Sequence, residues 1–198
     1  FPTFRMANCH FFEHLKPGSI FINTSRGEVA DPEVLRLALE KGLISHAVLD
    51  VWEAEPEVPR DVLARVDLGT PHIAGYSFEG RLNGTIAVYN ALCRYFEVKP
   101  TWVPDENRMP KPVAIAADAG HQSDESVLWE VVRQAYDIEA DDRALRQAVA
   151  GAEKAWSEYV VALRRQYPER REFAADTVRL ASSRPELVKK IRGLGFII

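Results

Sequence analysis

Arg26, Glu55 and His72 are the residue types that oxidation of a 2-hydroxy acid requires, and each follows a short apolar run in the sequence. Removing hydrogen from an alcohol beside a carboxylate needs a base for the hydroxyl proton, a fixed cation for the carboxylate and an acceptor for the hydride. His72 suits the base, because an imidazole titrates near neutrality and general acid–base catalysts work best with a pKa near the working pH. Glu55 can hold one ring nitrogen of His72 and so select its tautomer. Arg26 presents a planar, permanently charged fork that matches a carboxylate. The hydride must leave to a cofactor, since no side chain accepts it.

Three elements must position these residues. The runs Ser19 to Ile22, Ala47 to Val51 and Val66 to Leu68 read as strands, and Arg26, Glu55 and His72 lie just beyond their ends. In an open parallel sheet, ligands bind outside the carboxyl ends of the strands, so loops at that edge can share one substrate. Asp31 followed by Pro32 signals a helix start, and Gly42 a helix end, which makes Ser19 to Val51 a parallel β-α-β unit. A helix is expected from about Ser77 to Phe96, with Leu82, Ile86, Tyr89, Leu92 and Phe96 on one face.

The Asn23-Thr24-Ser25-Arg26-Gly27, Asp50-Val51-Trp52-Glu53-Ala54-Glu55-Pro56 and Thr70-Pro71-His72-Ile73-Ala74-Gly75-Tyr76 words, at these intervals, resemble the D-isomer-specific 2-hydroxyacid dehydrogenase family. Ala135-Tyr136-Asp137-Ile138 with Asp141-Asp142, and Tyr167 to Phe173, are similar to the C-terminal domain of one branch of it. The resemblance implies Arg26, Glu55 and His72 as catalytic residues. It also implies Asp50 and Gly75 as contacts on the nicotinamide side, Tyr76 as a substrate contact, NAD as cofactor and a small phosphorylated 2-hydroxy acid as substrate. The implied fold is α/β: the C-terminal half of a Rossmann-type doubly wound parallel sheet, then a small α+β dimerisation domain that makes a homodimer.

No G-x-G-x-x-G occurs in the sequence, and the chain opens on Phe1. The dinucleotide fingerprint belongs to the first strand–helix turn of such a domain, so the expectation is the C-terminal part of a longer enzyme, inactive by itself. Other readings stay open: a D-2-hydroxyacid dehydrogenase for 3-phosphoglycerate or glyoxylate, or a non-catalytic NAD-sensing or dimerisation module.

The expected organisation is residues 1–98 as the cofactor half-domain, 99–112 as a linker interrupted by Pro100, Pro104, Pro110 and Pro112, and 113–198 as the dimerisation domain. In the last segment, strands are expected at Val113 to Ala117, Thr177 to Ala181 and Phe196 to Ile198. Helices are expected near 123–136, 141–150, 152–167 and 185–192. Arg170 and Arg171 are either a solvated charge run or cations that reach a substrate phosphate. A net charge of −4 gives no general attraction for nucleic acid or anionic lipid. No apolar run approaches the roughly 20 residues that span a bilayer, Cys9 and Cys93 lack metal spacing, and a reduced, cytoplasmic protein without a metal is expected.

Overall fold

A computed structural model describes residues 2–151, 156–182 and 184–198. The chain divides into two compact units, residues 1–74 with 138–167 and residues 75–137 with 168–198. The fold is α/β with parallel sheets.

The first unit is built on strands β1 (Ser19–Asn23), β2 (Ile44–Leu49) and β3 (Leu68–Gly69), in that order and all parallel. Helix α1 (Cys9–Glu13) precedes β1, and Asn8 caps it by accepting the Phe11 N–H. Helix α2 (Pro32–Glu40) crosses from β1 to β2, starting where the sequence signals a start: Asp31 accepts the N–H groups of Glu33 and Val34, and Pro32 fills the first turn. Helix α3 (Arg60–Leu63) leads into β3. The core of this unit joins Phe12, Phe21, Leu35, Ala38, Ile44, Ala47, Leu49 and Trp52. On β1, Phe21 faces this core while Ile20 and Ile22 are exposed.

Helices α4 (Phe78–Tyr95) and α5 (Asp124–Ala135) belong to the second unit, whereas α6 (Ile138–Gly151) and α7 (Trp156–Arg165) fall with the first. The expected boundaries at residues 98 and 112 therefore do not separate the units. The reason is the edge of β3. Asp142, buried on α6, accepts the Gly69 N–H at 2.7 Å, and Arg146 pairs with Asp142 at 2.8 Å while donating to the carbonyls of Leu63 and Val66. Leu145, Val149 and Val160 complete the apolar contact as buried members of the same core. An exposed strand edge is an unpaired row of donors and acceptors, and here the Asp142 side chain satisfies the Gly69 N–H. The first residues of the expected helix 152–167 lie outside the described residues, as does the side chain of Trp156.

In the second unit, Ser77 caps α4 by accepting the Gly80 N–H, and its hydroxyl also donates to Glu172. Strands β4 (Ala114–Ala117) and β5 (Thr177–Leu180) pair in parallel, a bridge adds Ile197 beside Thr177 in place of the expected last strand, and helix α8 (Pro185–Gly193) follows β5. Ile115, Val127, Val131, Val178, Leu187, Ile191 and Phe196 form its core, with Phe173 stacked on Phe196 at 4.5 Å.

Candidate active site

Each loop of the first unit that carries a candidate residue is shaped by a buried polar side chain. Asn23, at the end of β1, donates to the Arg26 carbonyl at 2.9 Å and accepts from the Ser25 N–H and hydroxyl, so it closes the turn that presents Arg26. Gly27 follows because nothing larger fits: a Cβ there would lie 2.1 Å from the Trp52 carbonyl carbon and 2.2 Å from its oxygen. The Arg26 turn is thereby seated against the backbone that leads to Glu55. The Arg26 side chain is exposed, donates to the Ser25 carbonyl, and lines a cavity of about 540 Å³ with Thr3, Phe4, Glu28 and Val29.

The structure brings Glu55 and His72 together. Glu55 Oε2 and His72 Nδ1 lie 2.7 Å apart, and Glu55 Oε1 accepts the Trp52 N–H at 3.0 Å. Because an ionised carboxylate only accepts, Nδ1 carries the proton and Nε2 is left with its lone pair for a substrate hydroxyl. Among the described residues Nε2 has no hydrogen-bond partner. Both side chains are about a quarter exposed, at 21% for Glu55 and 27% for His72, as a group that must meet a substrate requires.

His72 has φ of 60°, in the left-handed region that a residue with a Cβ seldom occupies. Asp50 explains how it stays there. Its buried carboxylate accepts from the Thr70 hydroxyl at 2.6 Å, the Ile73 N–H at 2.7 Å and the Ala74 N–H at 2.9 Å, fastening the turn on both sides of His72. Strain of this kind persists where the surroundings over-determine it. The indole of Trp52 adds a bond to the Thr70 carbonyl.

Among the described residues Arg26 makes no ion pair or hydrogen bond with Glu55 or His72; the close backbone approach at Gly27 and the bond from the Asp50 N–H to the Asn23 carbonyl seat its turn beside the strand that leads to them. Gly75 and Tyr76 are the first residues of the second unit. A Cβ on Gly75 would meet open space, and the Tyr76 ring lies under the Arg81 guanidinium at 4.4 Å. In the same unit Arg171 is engaged by Glu79 and the Pro110 carbonyl, and Arg170 lies over the Tyr136 ring. His46 pairs with Asp67 at 2.8 Å.

The chain matches, over residues 2–74, the family model of the D-isomer specific 2-hydroxyacid dehydrogenase, NAD binding domain. A second model, a domain of unknown function (DUF3410), matches residues 109–195 of the chain. Three proteins named erythronate-4-phosphate dehydrogenase are similar to it along most of its length. That from Cellvibrio japonicus is 36% identical over 99% of this chain and 53% of its own. That from Marinobacter nauticus is 38% identical over 98% and 51%, and that from Edwardsiella ictaluri 40% over 87% and 44%. The chain spans about half the length of the curated relatives it matches.

The matched family model is that of an NAD-binding domain, and Asp50 Oδ2 keeps a lone pair beyond its bond to the Ala74 N–H. The pyrophosphate end needs a glycine turn at a helix N-terminus, and the sequence contains no G-x-G-x-x-G. Among the described residues no cluster of His, Cys, Asp or Glu could hold a metal, and no helix is long and apolar enough to cross a membrane.

Asn23, Gly27 and Arg164 were not singled out by spacing. Asn23 and Gly27 flank Arg26 in sequence and could have been found as a turn signal; Arg164 has no local signal at all.

Proposed function

We propose that this chain supplies the catalytic residues for NAD-dependent oxidation of 4-phospho-D-erythronate to (R)-3-hydroxy-2-oxo-4-phosphooxybutanoate, a step that serves pyridoxal phosphate synthesis. The observation that carries the reading is the Glu55–His72 bond with Nε2 of His72 left available.

His72 Nε2 takes the hydroxyl proton as the alcohol is oxidised, and Glu55 stabilises the imidazolium that forms. Arg26 holds the carboxylate beside the reacting carbon. NAD, when bound, accepts the hydride. Asp50 and Gly75 serve its nicotinamide side, and Tyr76 contacts the substrate. The similarity to erythronate-4-phosphate dehydrogenases supports the substrate, and the exposed apolar side chains of Trp129 and Tyr159 are consistent with a homodimer formed through residues 113–198 of a cytoplasmic protein.

Steady-state kinetics on the full-length gene product, with NAD and erythronate 4-phosphate, test this reading. His72→Ala is expected to lower kcat by about 10² to 10⁴, the usual worth of a general base. Arg26→Ala is expected to raise KM as well, by the loss of a charge-assisted pair of roughly 1.5 to 3 kcal/mol. A His72→Ala protein with unchanged kcat, or a wild-type protein that oxidises only 3-phosphoglycerate or glyoxylate, contradicts it.

A further inference from the structure

Helix α7 brings a third charged side chain to the acid–base pair. Arg164 Nη1 donates to Glu55 Oε2 at 3.3 Å, the same oxygen that meets His72. This bond is long for a charge-assisted contact, for which about 2.7 to 2.9 Å is usual. The rest of the fork is uncommitted: among the described residues, neither Nε nor Nη2 of Arg164 has a partner. The contrast with Arg146 on the neighbouring helix is plain, since that guanidinium spends three nitrogens on Asp142, Leu63 and Val66. Arg164 is also partly open to solvent, with 29% of its side chain exposed.

An arginine with spare donors beside a base is placed to receive an anion. We infer that Arg164 is a substrate-binding residue whose guanidinium takes a second oxyanion of the substrate, a phosphate ester or a second carboxylate, next to His72. The reading rests on Glu55 and His72 as the acid–base pair. It gives a task to the region of unassigned function: the bonds of Asp142 to β3 and of Arg146 to the Leu63 and Val66 carbonyls ahead of it fix α6, and the shared apolar core of Leu145, Val149 and Val160 holds α7 against it, so that Arg164 reaches Glu55. Arg26 is left for the carboxylate at the reacting carbon. Each cation then has one anion to hold, and the two ends of a short dianionic substrate are distinguished.

The test is a titration of the ¹⁵N-labelled 198-residue chain with inorganic phosphate at constant ionic strength, followed by NMR at the Arg164 Nε–H and the His72 ring nitrogens. Saturable shifts at both residues are expected, with Kd on the order of 1 to 10 mM for a single charged fork. Arg164→Gln, which keeps the length and loses the charge, is expected to weaken binding roughly five- to tenfold, and Arg164→Lys, a point charge without the fork, by less. Acetate in a parallel titration separates the sources: tighter phosphate assigns a phosphate ester, tighter acetate a carboxylate. Phosphate binding unchanged in Arg164→Gln, or no saturable shift at Arg164 in the wild type, overturns the inference. Because binding is read without turnover, intact phosphate binding alongside an unimpaired His72→Ala enzyme would instead locate the failure in the acid–base assignment.

Discussion

Asp142 accepts the backbone N–H of Gly69 at 2.7 Å, across 73 residues of sequence, and so joins a helix of the region of unassigned function to the edge of the β1-β2-β3 sheet. The same carboxylate neutralises Arg146, whose remaining donors satisfy two carbonyls before β3. Asp142→Ala should therefore cost more than one hydrogen bond, because it strands a buried amide and a partly buried guanidinium. A loss of roughly 2 to 4 kcal/mol is expected, read as a lower denaturation midpoint in urea. An effect within about 0.5 kcal/mol, the usual range for surface substitutions, would show that α6 does not close the edge.

Gly27→Ala tests the seating of the Arg26 turn. The added methyl would fall on the Trp52 carbonyl, which is backbone and cannot rotate aside. The turn must then shift, at a cost of about 1 to 3 kcal/mol, and the full-length gene product should lose turnover with erythronate 4-phosphate. Wild-type stability and kinetics in this variant would mean that the contact is not required.

Asp67 makes stability depend on pH. Its carboxyl is held below the ordinary carboxylate range, first by the hydrogen bond with His46 and then by the Ala47 N–H. A depressed folded pKa contributes stability that is present above the unfolded value, about 3.9, and is lost as pH falls through the folded value. Asp67→Asn should therefore be less stable than wild type at neutral pH, and the two should converge as pH falls below about 4. Thermal melts across that range check it; parallel curves would exclude the contribution.

NADH should bind the 198-residue chain weakly, with Kd above roughly 1 mM, because the sequence offers no G-x-G-x-x-G turn for the pyrophosphate. Isothermal titration decides, and tight 1:1 binding would mean that other residues of this chain cradle the phosphates.

The meeting of Glu55 with His72 was legible in the sequence because it depends on residue type and on strand-end placement. The capped start of α2 at Asp31-Pro32, the parallel β1-α2-β2 unit and the course of α4 were legible for the same reason: caps, proline positions and apolar periodicity act within one or two turns of chain. Tertiary structure alone decided the rest. Asp50 reads in sequence as a strand-end carboxylate, and only the fold folds back Thr70, Ile73 and Ala74 onto it to hold His72 at positive φ. The boundary after residue 98 followed the prolines, but proline marks where regular structure stops and not which core the next helix joins. Asp142, Arg146 and Arg164 were assigned by contacts with Gly69, Leu63, Val66 and Glu55, partners 73 to 109 residues away in the chain. Separations of that length leave no periodicity or local signal to read, since what brings the groups together is the burial of an apolar face and the satisfaction of a sheet edge.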